Sequence, residues 1–317
     1  VTHEIEFPSM GSDARILIGP VVRNGELSPP RAAALVRDFL LAYEARLSRF
    51  RPGSELCALN AEPGAEVEAS PLLRAAVRAG IWAAERTCGL VDPTLVSEIE
   101  AAGYASSRRA PELPLAEALR DAPPRRPARP AAARRWRELS VVRASIRRPP
   151  GLRFDTGGTG KGLAADLAAA RLSGYARWAV DCGGDLRVGG AAPEPFEIEI
   201  EHPLTGERAH VLRLATGAVA TSGLNVRVWR RPDGTPAHHL LDPSTGEPAW
   251  TGLIGATALA PTALEAETLA KAALLSGAAE GRRRLARRGG LLVHEDGDVE
   301  LCGPLRERPV VRLKAAA

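Results

Sequence analysis

No stretch of this 317-residue sequence is apolar for long enough to cross a membrane as a helix. Its four cysteines, Cys57, Cys88, Cys182 and Cys302, form neither a CxxC pair nor a Cys/His metal spacing, so they read as reduced, partly buried thiols. Residues 1–30 lack the basic-then-apolar pattern of a signal peptide, because Glu4, Glu6, Asp13 and Arg15 interrupt it. Val1 reads as an alternative start codon taken literally, which gives a cytoplasmic protein; a processed or trimmed chain would look the same. A strong charge is missing too. The net charge of +4 comes from Arg clusters, only a weak argument for nucleic acid; an anionic small molecule fits equally well, and no nucleic-acid partner is expected. Lys, Phe and Met are scarce beside abundant Ala, Arg, Gly and Pro, the signature of a GC-rich genome and not of a special architecture.

What is present is a globular chain with 45% hydrophobic residues, long enough to bury a proper core. "IEFPSMGSDARILIGP" predicts two short strands around a Ser-Met-Gly turn. Arg31–Phe50 predicts a helix with Leu35, Val36, Phe39, Leu40, Tyr43 and Leu47 on one apolar stripe. A second helix has Ser70 as N-cap, Pro71 at its first position and Gly89 closing it. Residues 105–137 are crowded with Pro, Arg and Ala and read as a solvated surface insertion or long mobile loop. Beyond them a strand is expected to end in "RFDTGGTGKGLAADLAAARL", a glycine-rich turn feeding a helix. Hairpins follow in "ARWAVDCGGDLRVGG", "PFEIEIEHPLTGERAHVLRL" and "LLVHEDGDVELCG". Helices and strands mix without a βαβ rhythm, so the fold class is α+β.

Several stretches carry chemistry. "DTGGTGKG" is neither a Walker A loop nor a GxGxxG fingerprint. Glycines 157, 158 and 160 still allow close backbone approach at a helix N-terminus, with Lys161 adding a charge. Anion binding and a tight structural turn are both open there. "VDCGGD", "ATSG", "HHLLDPSTG" and "LVDPT" each end a strand in a small polar turn, the usual setting of ligand sites. His239 is the candidate general base; His238 must point to the other face of the same strand. In "LEAETLAKAALLSG", Glu267 precedes Lys271 by one turn, which is also how an ordinary surface ion pair looks.

In order, "PSMGSDARI", "LSRFRPGSELCALN", "GLVDPTL" with "AAGY", "FDTGGTGKGLAAD", "GGDLRVGG", "VATSG" and "HHLLDPSTGEPA" resemble the blocks of the FAD:protein FMN transferase (ApbE) family, from about Phe7 to Gly277. The resemblance implies one flavin-transferase domain over residues 1–317, with mixed sheets and helices and an FAD cleft between two lobes. It implies transfer of FMN from FAD to a Thr or Ser hydroxyl of an acceptor protein, releasing AMP. An FAD pyrophosphatase and a non-catalytic FAD-binding protein are the alternatives. By the same resemblance Met10, Phe50, Leu90, Val91 and Asp92 hold the flavin. Asp155 and Lys161 hold the adenylate and diphosphate, and Asp185, Thr221 and Ser222 belong to matched cofactor-binding blocks. His239 takes the proton from the attacking hydroxyl, and Asp242 helps to orient it. The family's Mg²⁺ is implied at Gly158 (through a carbonyl) and at an Asp and a Thr of the last helix. This sequence has Glu267 and Lys271 there. A weakened Mg²⁺ requirement is expected, with Lys271 as partial substitute.

Overall fold

The computed structural model describes residues 2–108, 111–306 and 311–313. Val1, where the start-codon reading falls, lies outside the described residues, as do Arg109 and Ala110 of the Arg/Pro-rich segment.

The chain opens with a hairpin of β1 (His3–Ser9) and β2 (Ser12–Ile18). Its two-residue turn puts Met10 and Gly11 at φ 52° and 71°. Two positive φ values give the twist that a tight hairpin needs, at no steric cost for Gly11 and at some strain for Met10. Helix α1 (Pro29–Leu47) buries Val36, Leu40, Tyr43 and Leu47. Leu35, expected on that stripe, is 53% exposed, because the buried face is centred one residue further on. A short helix α2 (Glu55–Ala61) and strand β3 (Glu66–Glu68) follow. Helix α3 (Pro71–Arg86) starts as expected, Ser70 accepting the Leu73 N–H. Helices α4 (Val96–Ala101) and α5 (Leu115–Asp121) are short, and β4 (Ser140–Val142) and β5 (Ser145–Arg147) complete a three-stranded sheet with β3.

Helix α6 (Gly160–Ala169) leaves the glycine-rich turn. The strand expected before it does not form. Residues 152–155 are extended, and the Asn60 side chain brackets the Phe154 N–H and C=O in place of a neighbouring strand. Then come β6 (Trp178–Cys182), β7 (Asp185–Gly189), β8 (Phe196–Glu201) and the long β9 (Arg208–Gly223). Four small strands form two separate pairs, β10 (Val228–Arg230) with β11 (Pro236–His238) and β12 (Leu241–Asp242) with β13 (Glu247–Pro248). The chain ends with β14 (Leu253–Ala260), α7 (Ala263–Leu275), α8 (Gly277–Leu285), β15 (Gly290–His294), β16 (Val299–Cys302) and β17 (Val311–Arg312). The fold is α+β.

The main sheet runs β1-β2-β6-β7-β9-β14-β15-β16, with β8 and β17 also paired to β9. Only the β17–β9 pairing is parallel. Strand alternation sorts the core into two clusters. Ile16, Val180, Ala218 and Ala220 pack with α1, α3 and α6 on one face, whereas Ala179, Val188 and Val219 pack with β14, β15 and the C-terminal half of α7 on the other.

The Arg/Pro/Ala-rich segment is not a free loop. Leu113, Leu115, Ala118, Ala128 and Trp136 are buried. The main chain at Ala128 donates to Leu275 O and that at Arg126 to Trp250 O, while Arg129 O accepts from Ser244 N. Proline removes regular ladders but leaves carbonyls and alternate amides able to pair with distant segments. The segment is a strap, pinned by these main-chain bonds and by Arg125, which pairs with Glu295.

Candidate active site

The ends of α1, β9 and α6 and the face of α7 border one cleft of about 490 Å³. The structure brings Met10, Phe50, Leu90, Val91, Asp92, Asp155, Gly158, Lys161, Asp185, Thr221, Ser222, His239, Glu267 and Lys271 to its walls. Asp242 is the exception. Its Oδ1 accepts from Arg129 N, Ser244 N and Ser244 Oγ, all at 2.7–3.0 Å, so the carboxylate closes the Asp-Pro turn and anchors the strap. The residue is buried outside the cleft lining. The expectation that Asp242 orients the attacking hydroxyl is corrected: on a strand, the residue next to cleft-lining Leu241 points away from the cleft.

One end of the cleft is charged. Gly157 to Lys161 turn into α6, and α7 lies across that helix start so closely that a Cβ on Gly162 would stand 2.5 Å from Ala263 O. Glycine is required by that approach. The two helices cap each other. Asp166 of α6 accepts from Ala263 N at 2.8 Å and Leu264 N at 3.0 Å, the first two amides of α7. Glu267 of α7 accepts from Gly162 N at 2.9 Å, near the start of α6. Each acid satisfies amides that a helix start leaves without partners.

Glu267 is therefore no surface residue, and neither is its partner. Their side chains are only 5% and 12% exposed, with Lys271 Nζ 3.5 Å from Glu267 Oε1 and 3.4 Å from Gly157 O. Lys161 Nζ reaches Gly183 O at 3.2 Å. The carbonyl beside Lys271 is that of Gly157 and not of Gly158. Asp185 is buried beneath them; burial, reinforced by the Glu267 charge, pushes its carboxyl well above the usual range. Both lysines pull the other way.

The other end is aromatic, with an arginine held among the rings. Arg49 lies 4.1 Å over the Phe50 ring and 4.8 Å over Tyr104, donates to Tyr104 O at 2.7 Å and pairs with Asp155 at 3.5 Å. Tyr104 in turn stacks on Trp229 at 5.6 Å. Leu90 and Val91 are buried, and burial raises the carboxyl of Asp92, which binds Thr94 N and Oγ1. Thr221 pairs with Thr257 at 2.9 Å across β9 and β14.

The neighbouring histidines have opposite surroundings, although the strand ends at His238 and His239 lies in the bend that follows it. His238 is fully buried, its ring edge-on to Trp250 at 4.6 Å and its Nδ1 accepting from Leu240 N. His239 lines the cleft. Its Nδ1 has no partner among the described residues. Burial first, then the charges of Lys271 and Arg227, hold its pKa well below the ordinary histidine value, so it is a neutral imidazole at neutral pH. Arg227 also donates to Gly11 O at 2.6 Å and so fixes the Met10 turn.

Sequence reasoning missed Tyr43, Arg49, Tyr104 and Arg227, which all line the cleft. Tyr43 was legible as an apolar stripe position, but its hydroxyl donates to Gly160 O at 2.8 Å. Arg49 and Tyr104 sit inside two of the matched blocks.

The chain is similar in sequence and fold to known proteins. Residues 10–293 match the ApbE family. The chain is 30% identical over 287 residues to the FAD:protein FMN transferase of Treponema pallidum, covering 84% of this chain and 78% of that one. It is 26% identical over 269 residues to the FAD:protein FMN transferase of Haemophilus influenzae, covering 82% and 75%. Among solved structures, the ApbE protein of Thermotoga maritima superposes with a TM-score of 0.78 at 25% identity, covering 96% of this chain and 98% of that one. The flavin transferase ApbE of Vibrio cholerae gives 0.74 at 21%, covering 96% and 98%, a likeness of fold. With a match that spans most of its length, this chain belongs to the ApbE family.

Proposed function

We propose that this protein is an FAD:protein FMN transferase. FAD enters the cleft with its flavin toward Phe50, Met10 and the Leu90–Asp92 wall and its diphosphate toward Gly157–Lys161 and Lys271. A Thr or Ser hydroxyl of an acceptor protein attacks the phosphorus on the FMN side. The new O–P bond forms as the bond to the AMP oxygen breaks, AMP leaves, and the hydroxyl proton passes to His239. Positioning and charge neutralisation supply most of the rate in such displacements. The partners are then FAD and an acceptor protein, with no nucleic acid, and the cytoplasm is the proposed setting. Among the described residues no helix is long and apolar enough to cross a membrane.

The observation that carries this reading is the place of His239, a neutral imidazole at the cleft wall whose Nδ1 has no partner among the described residues. A neutral imidazole with an open nitrogen is what a general base requires.

Mg²⁺ does not fit the residues present. Glu267 Oε2 is bonded to Gly162 N, Oε1 faces an ammonium, and that ammonium stands where an oxygen donor would be needed. No step is routed through a metal. Incubation with FAD and an acceptor, followed by intact-mass analysis, tests the function. Transfer adds one FMN to the acceptor with one AMP released. Release of FMN and AMP alone shows a pyrophosphatase, and intact FAD shows a binder.

A further inference from the structure

We infer that Lys271 is a resident cation, an ammonium built into the diphosphate end of the cleft that takes the place of a divalent metal, so that FAD binding and FMN transfer proceed without Mg²⁺. The inference rests on the reading of the cleft as an FAD site.

Composition gives the first reason. The chain carries 42 Lys and Arg residues but only three are lysines, Lys161, Lys271 and Lys314. Two of those three line this one cleft. A protein that otherwise uses arginine for positive charge uses lysine here, where a compact point charge is the better substitute for a metal ion than a planar fork.

Geometry gives the second. An ammonium has three N–H donors. Two are directed at Gly157 O and Glu267 Oε1, at 3.4 and 3.5 Å, contacts long enough to leave the charge unquenched. The third remains for a ligand oxygen. The Lys271 stem passes beside Gly158, where an added Cβ would come 3.9 Å from its Cδ, and the side chain is only 12% exposed.

Glu267 gives the third. It is buried and bonded at Oε2 to the start of α6 and at Oε1 to the lysine. Glutamate is one methylene longer than aspartate. That extra reach spans from α7 to Gly162 N and turns a potential metal ligand into a strut. Glu267 is thus a positioning residue, linking the ammonium to the helix start that faces the diphosphate.

Two readouts on EDTA-treated full-length protein test this, with FAD itself as the probe. The first is FAD affinity by flavin fluorescence; the second is FMN transfer or AMP release. In wild type both should stay within about twofold across a Mg²⁺ titration, less than the tenfold that 1.4 kcal/mol represents. Lys271→Met, which keeps the stem, should weaken FAD binding in EDTA by about tenfold, roughly one charge-assisted hydrogen bond. It should also slow turnover by about 10²–10³. Lys271→Thr should become Mg²⁺-dependent, and more so with Glu267→Asp added. Thermal melts confirm that each variant is folded. Wild-type FAD affinity or turnover that collapses in EDTA and returns with Mg²⁺ overturns the inference, as does a Lys271→Met variant indistinguishable from wild type. If FAD binds tightly without metal yet no transfer occurs with or without Mg²⁺, the function reading fails while the resident cation stands.

Discussion

The two polar regions of the cleft are built on opposite principles. At the diphosphate end most charges are paired within the protein, and Lys271 keeps one N–H for the ligand. Glu267 meets Lys271 and Gly162, Lys161 meets Gly183, and Asp166 meets Arg187 and two amides of α7. At the histidine end both imidazoles are neutral, and each keeps a ring nitrogen without a partner among the described residues, Nδ1 of His239 at the cleft wall and Nε2 of His238 in the interior. A largely paired network holds shape and field in place before the ligand arrives; an unanswered nitrogen is reactive. The difference teaches where to look for chemistry. The most conspicuous charges form the mould, and the quiet buried imidazole is the tool within it.

The sharpest test of that contrast is between adjacent residues. His239→Ala should lower turnover by about 10²–10⁴ while FAD affinity stays within a few-fold, the usual range for a lost general base. His238→Ala should instead lower stability, because its ring packs edge-on to Trp250, with a smaller effect on rate. Equal losses of rate in both variants would falsify the base assignment.

The next effect belongs to the charged end. Asp166→Ala removes the acceptor for Ala263 N and Leu264 N and a partner of Arg187. Urea unfolding should show a loss of about 1.5–3 kcal/mol, the scale of hydrogen bonds to a charged group. Asp242→Ala should give a comparable loss with KM for FAD little changed, because its bonds go to the strap and its own turn. A large rise in KM for FAD in Asp242→Ala would restore that carboxylate to the site.

The smallest effect is a slope with pH. Burial holds His238 down to about 3, against an ordinary value near 6.5, and His239 is lowered in the same direction. Above about pH 6.5 neither the folded nor the unfolded chain protonates these rings, and they contribute no slope. Below it the unfolded chain takes up protons that the folded chain refuses, so stability falls from about pH 6.5 toward 3. Urea midpoints at pH 7.5, 6.5 and 5.5 should decline in that order, and less steeply in His238→Gln. An unchanged slope in that variant would place the acid sensitivity elsewhere.

Legibility followed the physics of each element. Hairpins at Met10–Gly11 and Gly183–Gly184 were readable because alternation and glycine are local signals, and the structure gives all four residues positive φ. The α7 pair was visible at its spacing, and the matched blocks placed it in the cleft. What escaped was settled by main-chain groups that carry no residue identity. The Arg/Pro segment advertises the absence of helix and strand, yet its docking depends on amides at Arg126 and Ala128 meeting carbonyls more than a hundred residues away. Asp242 was misread for the same reason, because the Arg129 amide that claims its carboxylate leaves no trace in sequence. Helix α2 is only seven residues long, too short to show periodicity.

The exchange of acids between α6 and α7 has a kinetic corollary. Neither helix can fray at its start without breaking a bond that belongs to the other, since Gly162 N depends on α7 and the Ala263 and Leu264 amides depend on α6. These three protons should therefore exchange with solvent deuterium as one cooperative unit, opening together and protected together, although a hundred residues separate them along the chain.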